Sequence, residues 1–266
     1  MKLKDIYKPI YPEIIKMEDE LNNLFSDIDN PSINELFGYF FKKSGKYLRP
    51  ALVFLSAEAV RNHQSNIKKD QLIQLALALE LVHSASLVHD DIIDKDLIRR
   101  GQKTLNNVFG NKTAVLAGDA LYALAYSIVS TLLPKEFAMS VSKLSFKMCV
   151  AEIEQANGNL DRERYFNIIK GKTALFTSMC CKLGAILAGA NENEVESLES
   201  FGLNFGMAYQ IKDDYMDDDP NALNNVTLAV AEEFANKARQ SIYELEDSIY
   251  KQKLCELMDY VMGTDK

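Results

Sequence analysis

The stretch Glu80–Thr104, ELVHSASLVHDDIIDKDLIRRGQKT, decides the fold, because it carries an apolar helix into a dense group of charges. The sequence LIQLALALELVHSASLV is apolar on nearly every side, which is typical of a helix buried at the centre of a bundle. Near the end of this helix come Asp90, Asp91 and Asp94. Since an α-helix advances about 100° per residue, Asp90 and Asp94 lie about 40° apart, with Asp91 at the edge of the same face.

The charges in and after this helix indicate a site for a metal ion and a diphosphate. Close carboxylates repel one another, and Mg²⁺ relieves that repulsion through carboxylate, water and phosphate oxygens. Arg99 and Arg100 follow, and arginine binds phosphate oxygens bidentately. A single acidic cluster is more often a solvated helix face. The chain, however, repeats the spacing at Asp213, Asp214 and Asp217, again after an apolar helical segment, and two facing copies would hold a cluster of metal ions.

Composition predicts a globular protein that does not bind nucleic acid. Of the 266 residues, 47% are hydrophobic and 26% are charged, and the net charge is −8, which argues against a polyanionic partner. The four cysteines form no CxxC motif and no zinc-like cluster, so buried free thiols in a reducing compartment are expected. No secretory h-region and no run of 18 apolar residues is found. These features predict a soluble, cytoplasmic protein without a membrane span.

The hydrophobic periodicity predicts one all-α domain over residues 1–266, with ten or more helices. No strand alternation is found, and 99–111 is predicted to be a loop that carries cations of the site. The predicted helices cover residues 11–26, 32–43, 50–61, 70–94, 113–133, 135–157, 161–170, 172–190, 193–217, 228–248 and 250–262.

Glycine and proline residues predict where several helices begin and end. Gly45 fits a left-handed C′ position after helix 32–43. Pro50 fits the first position of the next helix. Gly171 is predicted to stop helix 161–170, so that a new helix opens directly after it.

Cationic and hydroxyl side chains lie at two of these helix starts. Lys46 and Arg49 flank the start near Pro50, where they form either an anion site at a positive helix end or a pair of solvated surface cations. Lys172 and Thr173 open the helix after Gly171, which suits a phosphate; the alternative is an ordinary first turn without a ligand.

Two histidines lie in the long apolar helix, His83 and His89. A histidine on an apolar helix is usually a core residue with its hydrogen bonds satisfied. His83, however, precedes Asp90 by seven residues, about two turns, and therefore shares its face. We expect His83 to line the cavity below the acidic cluster.

The chain resembles the trans-isoprenyl diphosphate synthase (polyprenyl synthetase) family. The resemblance rests on six motifs in their expected order between about Gly45 and Asp217: GKYLRP, HSASLVHDDIID, RRGQKT, NKTAVLAGDALYALA, GKTALF and QIKDDYMD. It implies an all-α bundle of the isoprenoid synthase type with a central apolar cavity. It also implies a homodimer and a trans-prenyltransferase that joins isopentenyl diphosphate to an allylic prenyl diphosphate.

The resemblance implies a role for each matching residue. The diphosphate of isopentenyl diphosphate is expected to contact Lys46, Arg49, His83 and Arg100. Three Mg²⁺ ions, bound with the allylic diphosphate, are expected to contact Asp90, Asp91, Asp94, Asp213 and Asp214, with Asp217 reached through water. The allylic diphosphate is expected to contact Arg99, Lys172 and Thr173, and Gln210 to line the reacting end. The residues expected to act directly in catalysis are Asp90, Asp91, Asp94, Arg99, Lys172, Gln210 and Asp213.

The family resemblance also bears on the length of the product. Ala85 and Ser86 lie one turn below the first acidic motif, where a bulky aromatic residue stops chain growth in the family. Because both are small, a C20 or longer product is expected, and Ala85→Phe is expected to shorten it. Tyr122 and Tyr126 on a neighbouring helix would close the tunnel lower down.

The sequence departs from the family in two places. After Asp217, the segment DDDPNALNNVTLAVAEE stands where the family has a Gly/Lys-containing loop, and the lysine that closes over the allylic diphosphate has no clear counterpart. Ala151 stands where many relatives have glycine. We therefore regard the domain as shortened after Asp217.

Three other functions were weighed against an active prenyltransferase. The missing loop favours a non-catalytic or regulatory subunit of a hetero-oligomeric synthase, but the intact acidic motifs oppose this reading. A terpene cyclase uses the same ionisation, yet DDYMD is not a cyclase-type second motif. A metal phosphohydrolase built on His83, His89 and Asp90 leaves both arginines and the second acidic motif unexplained.

Overall fold

The computed structural model describes residues 2–26, 28–43, 45–61, 69–158, 161–217 and 227–263, and most of these residues are α-helical. Thirteen α-helices lie within these ranges. In chain order they are α1 Leu3–Tyr7, α2 Tyr11–Asn23, α3 Pro31–Phe41, α4 Leu48–Ala59, α5 Lys69–Ile93, α6 Leu105–Phe109, α7 Asn111–Leu132, α8 Lys135–Ala156, α9 Arg162–Ile169, α10 Leu175–Leu187, α11 Glu192–Met216, α12 Leu228–Ser241 and α13 Ile249–Met262.

The 25-residue helix α5 lies at the centre of the bundle, as its all-round apolar sequence predicts. It packs lengthwise against α7 and also contacts α2, α4 and α10. On the far side, α10 packs against α4 and α11, and α11 against α12. The buried side chains of these helices form one continuous apolar cluster. Both acidic motifs therefore lie at the ends of helices that the core holds in place.

Helices α5 and α7 are each long and apolar enough to cross a membrane by length and composition, although no uninterrupted apolar run predicted a span. This is weak support for a membrane protein, because the core helix of a soluble bundle passes the same test. In the 18-residue apolar segment of α5, 72% is buried inside the bundle, whereas only 28% of the corresponding segment of α7 is buried. The exposed apolar face of α7 therefore needs a separate explanation.

The predicted loop 99–111 is wrong in part, because it contains a small hairpin and helix α6. Strand β1, Ile98–Arg99, pairs antiparallel with strand β2, Gln102–Lys103. Arg100 and Gly101 connect the strands with φ of 53° and 69°, which is the left-handed pair that a two-residue hairpin turn requires. Two-residue strands are too short to show alternation in a sequence.

The sequence predicts that Gly45 ends helix 32–43 in a left-handed conformation, and this prediction is wrong. Helix α3 ends at Phe41, and the left-handed residue before α4 is Tyr47, with φ of 50°. Pro50 is the third residue of α4 and not the first. The N–H of the third residue also has no intrahelical acceptor, so the missing N–H of proline is not needed there. Gly45 is small for another reason: a Cβ there would lie 2.8 Å from the Arg100 guanidinium.

Gly171 does not stop a helix either. Helix α9 continues through a π-helical turn, Lys170–Ala174, directly into α10, so Lys172 and Thr173 do not lie at a helix N-terminus. The glycine permits a close helix contact, because a Cβ on Gly171 would lie 2.6 Å from the Cβ of Ala151 on α8.

The end of the chain and the cysteines differ from expectation in smaller ways. Helix α12 ends at Ser241, earlier than predicted, and α13 begins after the Ser248 cap. Residues 62–68 and 218–226 lie outside the described residues, and the second range includes most of the departing segment after Asp217. Cys180 and Cys181 are buried free thiols as expected, but Cys149 is exposed and Cys255 is only half-buried.

Candidate active site

The first acidic motif lies at the C-terminal end of α5, and its three carboxylates are not equivalent. Asp91 is 3% exposed and accepts a short hydrogen bond from the Nε of Arg99 on the hairpin. A second Arg99 nitrogen lies 3.3 Å from a carboxylate oxygen of Asp96. Asp90 is half-buried and Asp94, beyond the last helical residue, is exposed. Asp91 is therefore already paired with a side chain of the protein, Arg99. Asp90 and Asp94 instead lie near Glu152 and Lys172.

The surroundings of Asp90 disfavour its ionised form. Burial, reinforced by Glu152 and opposed by Lys172, raises the pKa of Asp90 to about 6. Burial also raises the pKa of Asp94, again opposed by Lys172. These carboxylates thus lie where a bound cation would lower the electrostatic free energy.

Lys172 is positioned opposite Asp90 by helix α8. Its ammonium forms a short ion pair with Glu152 and donates a hydrogen bond of 2.9 Å to the Oε1 of Gln155. Sequence reasoning missed Glu152 and Gln155. Their spacing of three residues, which places both side chains on one face of a helix, could have indicated them. They also directly follow Ala151, where many relatives have glycine.

The second acidic motif, at the end of α11, repeats the inequality of the first. Asp214 accepts hydrogen bonds from the Tyr165 hydroxyl, at 2.5 Å, and from the Gln210 amide nitrogen, at 2.7 Å. Asp213 and Asp217 are exposed. Burial, followed by repulsion from Asp217, raises the pKa of Asp213. Tyr165 was not identified from the sequence, because its partner lies 49 residues away.

Gln210 and Thr173 are brought together as the resemblance implies. The Thr173 hydroxyl donates to the Oε1 of Gln210 at 2.8 Å, and the other end of the same amide bonds Asp214. Thr173 is buried and belongs to the π-helical turn that also carries Lys172.

Arg49 and His83 lie together beside Phe176. The Arg49 guanidinium carbon is 4.8 Å from the centre of the Phe176 ring, and the His83 ring meets the same ring edge-on at 6.4 Å. The Nε of Arg49 is buried without a hydrogen-bond partner in the described part of the chain. Burial, reinforced by Arg49 and Arg100, holds the pKa of His83 well below its usual value, so the imidazole is neutral.

Two further charged groups complete this basic region. Lys46 is exposed, with its ammonium 5.7 Å from the Tyr260 ring centre, and it lowers the pKa of Asp213. Glu80, for which no role is predicted from the sequence, is 6% exposed. Burial raises the pKa of Glu80 to about 7, although Arg49 and Arg100 oppose the rise.

The residues expected to set product length lie below the first motif. Ala85 is fully buried, whereas Ser86 is half-buried, and its hydroxyl donates to the His83 carbonyl oxygen at 2.8 Å. Ser86 precedes Asp90 by four residues and shares its face. Tyr122 and Tyr126 on α7 stack with ring centres 6.3 Å apart.

His89 points away from the basic region and towards α7. Its Nε2 lies 3.2 Å from the Val115 carbonyl oxygen, and its ring occupies the space that a side chain on Gly118 would fill. His83 and His89 therefore do not converge on one metal ion, which removes the basis for the phosphohydrolase alternative.

The carboxylates fit Mg²⁺ as a partly protein-bound ion. Among the described residues, no three His, Cys, Asp or Glu side chains converge into a complete metal site. Mg²⁺ is typically bound through one or two carboxylates, with substrate phosphates and waters as its other ligands. Asp90, Asp94 and Asp213, each with a raised pKa, fit that mode of binding.

Comparison with solved structures confirms the predicted all-α fold of the isoprenoid synthase type. A decaprenyl diphosphate synthase from Rhodobacter capsulatus superposes with a TM-score of 0.88 at 22% identity, over 100% of both chains. A polyprenyl synthase from Caulobacter crescentus, complexed with calcium and isoprenyl diphosphate, superposes with a TM-score of 0.87 at 22% identity, over 98% of this chain and 97% of that one.

Comparison of sequences shows the family. The polyprenyl synthetase family model matches residues 30–226. A geranylgeranyl pyrophosphate synthase from Geoglobus acetivorans is 33% identical over 77% of this chain and 67% of its own length. A prenyl transferase from Cyanidium caldarium is 33% identical over 77% of this chain and 64% of its own length. The match thus spans about two thirds of these relatives. The chain belongs to the polyprenyl synthetase family, a family of prenyltransferases.

Proposed function

We propose that this protein is a trans-prenyltransferase that condenses isopentenyl diphosphate with an allylic prenyl diphosphate. One observation carries the proposal: each acidic motif has carboxylates that accept no side-chain hydrogen bond from the described residues, and a lysine lies beside them. Asp90 and Asp94 lie near Lys172, and Asp213 lies near Lys46. Such paired charges suit a metal-bound diphosphate.

The reaction breaks the C–O bond between the allylic carbon and its diphosphate and forms a C–C bond to the double bond of isopentenyl diphosphate. The condensed cation then loses a proton to the departing diphosphate, so no protein base is needed. Lys46, Arg49, His83 and Arg100 are proposed to hold the diphosphate of isopentenyl diphosphate. A neutral His83 donates a hydrogen bond without adding charge. The apolar helices around the site exclude water, which would otherwise quench the cation.

Mg²⁺ is proposed to bind Asp90, Asp94 and Asp213, with Asp217 acting through water and three ions per site. When bound, it neutralises the negative charge that develops on the leaving diphosphate. Asp91 and Asp214 have protein partners, so we propose that they orient Arg99 and Gln210 and contribute to metal binding only indirectly.

The small residues at Ala85 and Ser86 support a product of C20 or longer, limited below by Tyr122 and Tyr126. We also propose a cytoplasmic homodimer. Helices α7 and α8 expose large apolar side chains that a second subunit would cover, namely Val115, Leu116, Met139, Phe146 and Ile153. Two relatives are named component 2 of a heptaprenyl diphosphate synthase, so a different partner chain is a second candidate for the same face.

The proposed function is tested by incubating the purified protein with Mg²⁺, labelled isopentenyl diphosphate and C10, C15 or C20 allylic primers. Chromatography then separates the products by length, with Asp90→Ala as the inactive control. We expect a metal-dependent product of C20 or longer. If no primer gives product, the chain does not act alone, and a partner subunit becomes the leading explanation.

A further inference from the structure

Two hydroxyl groups of the continuous helix α9–π turn–α10 bond the same face of α11. The Tyr165 hydroxyl bonds Asp214 at 2.5 Å, and the Thr173 hydroxyl bonds Gln210 at 2.8 Å. Gln210 and Asp214 are four residues apart and bond each other at 2.7 Å. Tyr165 is 3% exposed and Thr173 is 8% exposed, so the hydrogen-bonded chain is largely shielded from water.

The π-helical turn explains how both hydroxyls reach one face. In an uninterrupted α-helix, the eight residues from Tyr165 to Thr173 would leave the two side chains about 80° apart. A π turn contains one additional residue. The rotation from Tyr165 to Thr173 is then about that of seven α-helical residues, which leaves the two side chains within about 20° of each other. The inserted residue thus aligns Tyr165 and Thr173 towards α11.

The same turn determines where Lys172 lies. Lys172 directly precedes Thr173, and its ammonium bonds Glu152 and Gln155 on α8. The π turn is therefore attached to α11 through Thr173 and to α8 through Lys172. Tyr165, one end of the chain of hydrogen bonds, fixes one carboxylate oxygen of Asp214, while Gln210 fixes the other.

We propose that Tyr165 is a positioning residue of the diphosphate site. Its hydroxyl orients Asp214, which orients Gln210 and, through Gln210, the π turn that presents Lys172 and Thr173. The inference rests on the proposed function, because the ligand that this turn meets is the allylic diphosphate. Tyr165 is 3% exposed and acts through Asp214.

The test uses Tyr165→Phe, which removes only the hydroxyl, and Ser178→Ala as a matched control. The Ser178 hydroxyl also joins α10 to α11, by donating to the Glu199 carbonyl oxygen at 2.9 Å, but it lies away from the acidic motifs. Both variants lose a shielded hydrogen bond between helices. Only the first loses the bond that orients Asp214.

Binding is measured without turnover, as the rise in unfolding temperature when Mg²⁺ and inorganic diphosphate are titrated together. We expect Tyr165→Phe to need about tenfold more diphosphate than wild type, the loss typical of a hydrogen bond to a charged group. Ser178→Ala should stay within about twofold. In the metal-free protein, hydrogen exchange at residues 170–174 should accelerate in Tyr165→Phe more than in Ser178→Ala.

The outcomes separate this inference from the proposed function. If wild type responds to Mg²⁺ and diphosphate and Tyr165→Phe responds equally, or if Ser178→Ala loses as much, the positioning role is overturned alone. If wild type itself shows no response, the diphosphate site is overturned and the inference falls with it.

Discussion

Within each acidic pair, the second aspartate is bonded by the protein, whereas the first receives no side-chain hydrogen bond from the described residues. Asp91 is held by Arg99, and Asp214 by Tyr165 and Gln210. Burial raises the pKa of Asp91, but the hydrogen bond from Arg99 opposes that rise. Asp90 has no such donor among the described residues, so its ionised form is stabilised less. The two kinds of aspartate should therefore respond oppositely to substitution.

At pH 8 without metal, we expect Asp90→Asn to stabilise the protein and Asp91→Ala to destabilise it. Because the pKa of Asp90 is raised from 3.8 to about 6, its ionisation is a cost that grows as pH rises above 3.8 and is complete above about pH 6. Removing it should gain about 1–2 kcal/mol, after discounting for partial exposure. Removing Asp91 leaves Arg99 with Asp96 as its remaining carboxylate partner among the described residues and should cost about 1–3 kcal/mol.

Urea unfolding of the two variants and wild type measures these free energies. Asp90→Asn should also weaken Mg²⁺ binding, which combines higher stability with lost function. A loss of stability in Asp90→Asn at pH 8 would contradict the interpretation that burial of the ionised Asp90 costs free energy.

Glu80 should make the stability of the whole protein depend on pH. Its pKa in the folded state is about 7, above the usual glutamate pKa of 4.5, so the unfolded chain loses this proton first and stability falls as pH rises from about 4.5 to 7. Glu80→Gln removes that component. We expect the variant to match wild type at about pH 4 and to exceed it by roughly 3 kcal/mol at pH 8. Urea unfolding at both pH values checks this, and equal differences at the two would rule it out.

Ser86 is the residue whose enlargement should shorten the product. It is half-buried on the face of Asp90, whereas Ala85 is fully buried and its replacement by Phe would have to displace the core. We expect Ser86→Phe to shift the product to C15 or shorter with little loss of stability. Product chromatography with a C10 primer measures this; an unchanged product length would place the chain-length limit elsewhere, with Tyr122 the next candidate.

At the scale of elements, glycines on α11 set how closely it approaches α10. A Cβ on Gly206 would lie 2.2 Å from the Thr177 hydroxyl oxygen and 2.5 Å from the Cα of Ala174. The main chain of Ala174 belongs to the π turn. This close contact therefore holds the end of the π turn against the helix that carries the second acidic motif.

Gly206→Ala should separate these two helices and destabilise the protein by about 1–3 kcal/mol, the usual cost of overpacking. Gly38→Ala is the matched control, because Gly38 also lies in a helix but has nothing within 4 Å of the added Cβ. The control should gain about 0.5–1 kcal/mol from helix propensity. Thermal unfolding of both variants distinguishes them, and the same sign in both would show that packing at Gly206 is not limiting.

At the scale of the whole molecule, the apolar face of α7 and α8 is the feature that the monomer leaves unexplained. Phe146 is 70% exposed and Ile153 is 63% exposed. Large exposed apolar patches on soluble proteins commonly mark contacts with another protein. The exposed apolar side chains of this face also explain why α7 is apolar enough to cross a membrane although only 28% of its apolar segment is buried in the bundle.

We expect Phe146→Glu to dissociate a dimer into folded monomers. A charge at the centre of an apolar interface would be buried unpaired, which strongly opposes association. Tyr243→Glu is the control, because Tyr243 is 74% exposed but lies between α12 and α13. Light scattering after size exclusion gives the mass. A wild-type monomer, or a Phe146→Glu dimer, would exclude this interface.

The sequence by itself determined the helical class, the central position of α5 and the identity of most charged residues at the site. Periodicity and composition are local properties, and a helix apolar on every side has no stable position other than the core. The fixed spacing of Asp90 and Asp94, and of Asp213 and Asp217, likewise places each pair on one helix face before any tertiary contact forms.

Only the tertiary structure decided which of these charges are free and which are held. Lys172 bonds Glu152 and Gln155 on α8, and Asp214 bonds Tyr165 on α9, so no local pattern predicts these contacts. Gly171 was read as a helix stop because glycine weakens helices, yet the close approach of α8 keeps it inside a continuous helix. Spacing along one helix fixes the face of a side chain, whereas the packing of distant helices fixes what that face meets.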